Sequence, residues 1–239
     1  MSRIFLVRHA QASFGEREYD KLSAIGKAQA RLLGEYWAER RLQWDRVCTG
    51  PRQRQQDTAA IVGEVYRKAG LSLPEPVVMP DFDEYHGDQV LERGLPGLVA
   101  RDVEIQRLYE AFESSGSAAS RMRNFQKLFE AVIGRWVQGE LVLDHVESWS
   151  DFCARVQRGL AGVVAEDGRG RQVAIFSSGG PISVAMQRAL ELTAQNTLRV
   201  AWMVRNCAIS EFLASGARFT LSTFNEVPHL DDAALLTYR

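Results

Sequence analysis

Two short apolar runs constrain this chain most. Ile4-Phe5-Leu6-Val7 and Val173-Ala174-Ile175-Phe176 are rich in β-branched and aromatic residues, so both read as buried strands. Each stops abruptly on polar residues. The first ends on Arg8-His9; the second turns through Ser177-Ser178-Gly179-Gly180 into a helix opening with Pro181, a favoured first-turn residue. Helical patterns alternate with further strands. Ser23 is placed to cap a helix with apolar positions Ile25, Ala28, Leu32 and Tyr36. Arg46-Val47-Cys48 reads as a second strand, followed by a helix with Thr58, Ile61, Val62, Val65 and Tyr66 on one face. Pro76 to Met79 reads as a third. Ile209 to Leu213 and Phe219 to Thr223 read as final strands paired across Ser215-Gly216. Such alternation predicts a three-layer α/β/α sandwich around a mostly parallel sheet.

The middle of the chain breaks the pattern. Ile105, Leu108, Tyr109 and Phe112 recur at helical spacing, as do Met122, Phe125, Phe129, Val132, Ile133 and Trp136, with a small-residue loop from Ser114 to Ser120 between them. This stretch, about residues 88–145, reads as a helical insertion over the sheet's active edge, within one domain spanning residues 1–239. A core-facing helix carrying Trp149, Phe152, Val156, Leu160 and Val163 follows.

Composition limits the partners. A formal net charge of -1 gives no reason to expect nucleic acid or an anionic membrane. No apolar run approaches membrane-spanning length, and the N-terminus carries no signal-peptide pattern. Cys48, Cys153 and Cys207 are far apart, which predicts reduced thiols in a cytoplasmic protein, with no disulfide frame, no metal site and no cofactor.

Four loops follow predicted strands and carry polar groups: Arg8-His9; Thr49 to Arg54; Asp81-Phe82-Asp83-Glu84-Tyr85; and Ser177 to Pro181. Arginine forks suit the equatorial oxygens of a transferring phosphoryl group. Backbone amides at a helix start add donors and a favourable dipole. An imidazole can take the phosphoryl group as nucleophile, and a carboxylic acid can protonate the leaving oxygen. Together the loops predict chemistry on a small phosphorylated substrate.

Leu6-Val7-Arg8-His9-Ala10 resembles the RHG signature of the histidine phosphatase superfamily, the phosphoglycerate mutase-like fold, with Ala10 where Gly is usual. Pro51-x-x-Arg54-x-x-x-Thr58-Ala59 resembles its second phosphate-binding segment, and Phe82-x-Glu84 the segment bearing its proton donor. Glu147-Ser148-Trp149-x-x-Phe152, Asn206 and Asn225-x-x-x-His229-Leu230 resemble further segments. The resemblance implies His9 as nucleophile, Arg8 and Arg54 as phosphate ligands, Glu84 as general acid, and Ser178, Gly179 and Gly180 as the rest of the phosphate cradle. It also implies a homodimer, through the insertion or a sheet edge.

Two departures bear on activity. Ser13-Phe14-Gly15 stands where family mutases carry a Trp-Asn pair, which favours a phosphatase. Ser178 stands where the family keeps a second phosphate-contacting His. A charge-assisted hydrogen bond contributes about 1.5–3 kcal/mol and a neutral one about 0.5–1.5. The exchange therefore costs roughly one or two powers of ten in rate and leaves nucleophile, arginines and acid in place. The expected function is a phosphomonoester hydrolase acting through a phosphohistidine. The alternatives are a phosphoglycerate mutase-type phosphotransferase and a silent phosphate-ligand binder.

Neighbouring residues keep two readings each. Arg52 reads as a solvated rim residue or a pocket one. Asp81 and Asp83 compete with Glu84 as the acid or cap their loop. Ser178 touches phosphate or caps its helix. His86 approaches the pocket or lies outside it, His145 reads as surface, and His229 reads as structural or at the pocket edge. Arg93, Arg101, Arg121 and Arg123 read as a solvated helix face or as contacts for a charged substrate tail. The stripe Phe125, Phe129 and Trp136 reads as core or interface.

Overall fold

A computed structural model describes residues 1–13, 20–166 and 170–238. In chain order its elements are β1 (Ser2–Arg8), α1 (Ala24–Glu39), β2 (Arg46–Thr49), α2 (Gln53–Lys68), β3 (Val77–Val78), α3 (Gly87–Val99), α4 (Val103–Glu113), α5 (Ala118–Val137), α6 (Trp149–Glu166), β4 (Gln172–Ser177), α7 (Gly179–Leu190), α8 (Ala194–Met203), β5 (Ile209–Ser215) and β6 (Arg218–Glu226). Short 3-10 turns cover Pro80–Phe82 and Ala233–Leu235. The chain divides into two compact units, Met1–Glu84 with Ala154–Arg239, and Tyr85–Cys153.

The first unit holds a mixed six-stranded sheet in the order β3-β2-β4-β1-β5-β6. The pairs β3-β2, β2-β4 and β4-β1 are parallel; β1-β5 and β5-β6 are antiparallel. The α/β architecture read from the sequence is present. Its parallel part covers four strands, and the final hairpin supplies an antiparallel edge.

Alternation along β1 explains the layers. Phe5 and Val7 join a core with Leu33 and Trp37 of α1 and Val62 and Tyr66 of α2. Ile4 and Leu6 point the other way and are also fully buried. A strand covered on both faces has no place for polar residues, which is why the run reads as unbroken hydrophobe. Trp44 sits edge-on to Phe5 at 5.0 Å, and its indole N–H donates to the Tyr66 hydroxyl at 2.9 Å. Burial pushes the Tyr66 phenol up to about 12.

The helix α1 corrects the expected register. Ser23 caps it, its hydroxyl accepting from Gly26 N–H at 3.0 Å. The buried face, however, is Gly26, Ala30, Leu33 and Trp37, while Ile25 is exposed and Leu32 and Tyr36 are half-buried. The face turned because Gly26 packs against the backbone after β1: a Cβ there would lie 2.1 Å from the Gln11 carbonyl oxygen. The third strand shrinks to Val77–Val78, both exposed on the sheet edge.

The second unit contains α3, α4 and α5 and the start of α6. Trp136 stacks edge-on with Trp149 and tilted with Tyr85, and is nearly fully buried. Phe125 lies 5.8 Å from Phe112 and 6.0 Å from Phe129. Ser117 caps α5, so the small-residue loop is shorter than expected. Asp102 caps α4 through the amides of Glu104 and Ile105 and also binds Arg135 of α5 at 2.8 Å. No described helix is long and apolar enough to cross a membrane.

Candidate active site

The parallel strands β1, β2, β3 and β4 deliver their C-terminal ends to one edge of the sheet, where open α/β sheets hold ligands. The four polar loops of the sequence follow those ends. The register of β1 on β4 pairs Arg8 with Ser177, and His9 N–H donates to the Ser177 carbonyl at 2.8 Å. The next residues, His9 and Ser178, therefore lie side by side.

His9 is 5% exposed, and its ring is fixed at both nitrogens. Nδ1 lies 2.8 Å from the Ala10 carbonyl oxygen, which can only accept, so Nδ1 carries the proton. Nε2 then holds a lone pair and receives the Arg54 Nε–H at 3.0 Å. Burial holds the imidazole pKa well below its ordinary value. The positive charges of Arg54 and Arg8 add to the effect, and the Ala10 carbonyl opposes it. The ring is thus neutral at neutral pH, with a nucleophilic nitrogen facing a cation.

The surrounding backbone is tied down. Ala10 N–H donates to the Thr58 hydroxyl at 3.0 Å, and that hydroxyl donates to the Arg54 carbonyl at 2.7 Å, joining the loop after β1 to α2. The Asn206 amide donates to the His9 carbonyl at 3.3 Å.

Arg54 is 4% exposed; besides His9 it pairs through Nη1 with Asp20. The other Asp20 oxygen accepts from Gln53 N–H at 2.8 Å, at the N-terminus of α2. Arg8 is half-buried, and its Nη1 donates to the Val204 carbonyl. Among the acidic candidates, Glu84 carries the carboxylate that faces the cradle: its Oε2 accepts from Gly180 N–H at 3.1 Å, at the start of α7. Asp83 instead binds Arg52 Nε at 2.5 Å, and Asp81 lies 4.0 Å from Arg158.

Arg52 is not a solvated rim residue. Its side chain is 22% exposed and bridges Asp83 and, through Nη2 at 3.0 Å, the Glu84 carbonyl. Arg155 adds bonds from Nη1 to the Pro80, Asp81 and Asp83 carbonyls at 3.1–3.2 Å. Two arginines therefore hold the Glu84 loop in shape.

Ser178 occupies the N-cap position of α7, yet its hydroxyl does not cap the helix. It is fully buried and accepts from Gln55 Nε2 at 2.8 Å. Gly179 and Gly180 form the first turn. Ser177 Oγ donates to the Phe82 carbonyl at 2.8 Å, tying β4 to the acid loop.

His145 is exposed with a positive φ. His86 stands at the N-cap of α3 in the second unit. His229 is buried against Tyr36, with ring centroids 6.1 Å apart, and lies near the Cys207 backbone. Burial lowers its pKa to about 4. Phe14 and Gly15 lie outside the described residues. Among the described residues no group of three or more His, Cys, Asp or Glu side chains is placed to hold a metal ion.

Sequence reasoning missed Gln55, Asp20 and the support from Asn206. Gln55 and Asn206 are fully buried polar residues, but a sequence carries no signal for burial of an isolated amide. Asp20 precedes α1, in a stretch without periodicity.

The family model described as histidine phosphatase superfamily (branch 1) matches residues 4–227. No curated protein matches the sequence. Among solved structures, the chain is similar to YhfR of Bacillus stearothermophilus, at TM-score 0.66 and 15% identity, covering 97% of this chain and all of that one. It is also similar to a putative alpha-ribazole-5'-P phosphatase of Escherichia coli (TM-score 0.64, 19% identity, 95% of this chain and 97% of that one). A third is a mycobacterial glucosyl-3-phosphoglycerate phosphatase (TM-score 0.59, 20% identity, 93% of this chain and 98% of that one).

Proposed function

Because the chain belongs to the histidine phosphatase superfamily, branch 1, we propose that it is a phosphomonoester hydrolase acting on a small phosphorylated metabolite through a phosphohistidine on His9. The observation that carries this reading is the state of the His9 ring. Its Nδ1 proton is committed to the Ala10 carbonyl, and its Nε2 lone pair lies beside Arg54.

The reaction runs in two displacements. In the first, the Arg54 Nε–H shifts from His9 Nε2 to a phosphoryl oxygen, the freed Nε2 lone pair attacks phosphorus, and the ester P–O bond breaks. Arg54 and Arg8 bind the equatorial oxygens and spread their charge. The Gly180 amide and the α7 dipole add to the cradle. Glu84 gives its proton to the leaving alkoxide, so a neutral alcohol departs. In the second, the Glu84 carboxylate takes a proton from water as the water attacks phosphorus. The P–N bond breaks, the electron pair returns to Nε2, and inorganic phosphate leaves.

Arg52 and Arg155 fix the backbone of residues 80–84 and thereby the reach of Glu84. Two of the structural neighbours bear the names of phosphatases for small phosphorylated metabolites, which supports hydrolysis of a substrate of that class. The test is steady-state hydrolysis of an aryl phosphate with EDTA present, wild type beside His9→Ala. Turnover that survives EDTA and disappears in the variant is expected. Equal turnover in both proteins overturns His9 as nucleophile.

A further inference from the structure

Gln55 lies at the third position of α2, fully buried, with a side-chain amide whose orientation is fixed by its neighbours. Its Oε1 accepts from Arg52 N–H at 3.1 Å. Its Nε2 faces the Phe82 carbonyl at 3.4 Å and Ser178 Oγ at 2.8 Å. Rotating the amide by half a turn would set NH2 against the Arg52 N–H and oxygen against the Phe82 carbonyl. Both contacts would be repulsive, so the network admits one orientation. Gly50 makes room for it: a Cβ there would lie 2.2 Å from Gln55 Oε1.

The consequence falls on Ser178. An amide N–H donates into its oxygen and cannot accept, so the serine proton cannot go to Gln55. Among the described residues no other group accepts it, and the hydroxyl does not cap α7. A buried hydroxyl whose proton is taken by neither Gln55 nor the α7 backbone is able to donate to a ligand. Ser178 stands beside His9 across the β1-β4 ladder and two residues before Gly180, whose N–H opens the same helix turn, so an acceptor it serves lies on the phosphoryl side.

We propose that Gln55 is a positioning residue that makes the Ser178 hydroxyl an obligate donor and directs its proton to an oxygen of the transferring phosphoryl group. The assignment rests on the hydrolase reading above for the identity of the acceptor.

The measurement is calorimetric binding of orthovanadate, a mimic of the five-coordinate phosphoryl group, which requires no turnover. Ser178→Ala should weaken binding by about ten-fold, the share of one neutral hydrogen bond. In Gln55→Glu a carboxylate oxygen takes the Ser178 proton and turns it away, so binding weakens by a similar factor. Adding Ser178→Ala to that variant should then change little. Gln55→Met, which keeps the volume without a new charge, should likewise shrink the effect of Ser178→Ala. Equal effects of Ser178→Ala in all three backgrounds would overturn the assignment and leave the hydrolase reading intact, as would an absence of vanadate binding by the wild type if His9→Ala still abolishes turnover. Coupled effects on binding, in a protein whose turnover His9→Ala does not alter, would support the Gln55 assignment and refute His9 as the nucleophile.

Discussion

Acid should unfold this protein partly through His229. The ring is 7% exposed, and its burial outweighs the opposing contact with the Cys207 backbone. Burial lowers its pKa from 6.5 to about 4. In the unfolded chain the same imidazole takes up a proton near pH 6.5. Above that value both states are neutral and stability is fully present. As pH falls between 6.5 and 4 the unfolded state binds a proton that the folded state refuses, and stability is lost across that window. At about 1.36 kcal/mol per pH unit the full loss is about 3 kcal/mol. His9, also buried and depressed, adds to the loss in the same direction. The assay is denaturant unfolding from about pH 7 to about pH 4, wild type beside His229→Leu. The variant should lose about 3 kcal/mol less than the wild type over this interval, whatever its stability at pH 7. Parallel curves would refute the claim that a buried neutral imidazole drives the loss.

Three further outcomes follow from the same contacts. Arg54→Lys removes the fork that serves His9 and Asp20 together, and kcat/KM for an aryl phosphate should fall about a hundredfold; a loss of less than about threefold would show that the fork is not used. Gly26→Ala sets a methyl group 2.1 Å from a backbone oxygen that no side-chain rotation can relieve, so thermal unfolding should show a loss of about 1–3 kcal/mol. The pH profile of kcat/KM should lack an acid limb near 6.5, because His9 stays unprotonated well below that value; a limb at 6.5 would place the nucleophile in a more solvated setting.

The strand-end logic of the sheet was legible because it rests on local signals. Ile4 to Val7 and Val173 to Phe176 had to be buried strands, and the parallel register brings Arg8-His9 and Ser177-Ser178 together without further instruction. Helix faces were less legible. In α1 the apolar stripe through Ile25 is less buried than the neighbouring one through Gly26, because the backbone at Gln11 approaches where side chains are smallest. In α3 the run Gly94-Leu95-Pro96-Gly97 has low intrinsic helix propensity, yet the helix continues to Val99, with Val90 and Leu98 buried. Tertiary packing overrode propensity there. The helix α8 is short and opens on Ala194-Gln195-Asn196, with little apolar pattern to find.

The site divides in the same way. Arg8-His9 was recognisable as a residue pair at a strand end, while Arg54 over Arg52 and Glu84 over Asp81 and Asp83 came from the family resemblance; Arg54 and Glu84 make the contacts described above with His9 and Gly180. The part that was not legible is the polar support. Arg52 holds Asp83 and the Glu84 carbonyl across 31 and 32 residues, and Gln55 meets Ser178 across 123 residues. Such pairings depend on burial and on loop geometry that no local pattern encodes. Ser178 itself was legible as a departure, but its hydrogen bond to Gln55 and its failure to cap α7 were not.

The central claim is that His9 Nε2 forms a covalent bond to phosphorus. Its most direct test is to mix the protein with an aryl phosphate, quench in alkali, where phosphohistidine survives, and locate the modified residue by mass spectrometry. A phosphoryl group on His9, lost on acidification and absent from His9→Ala, is the result predicted. Turnover with no phosphorylated residue, or with the phosphoryl group on another side chain, would contradict it.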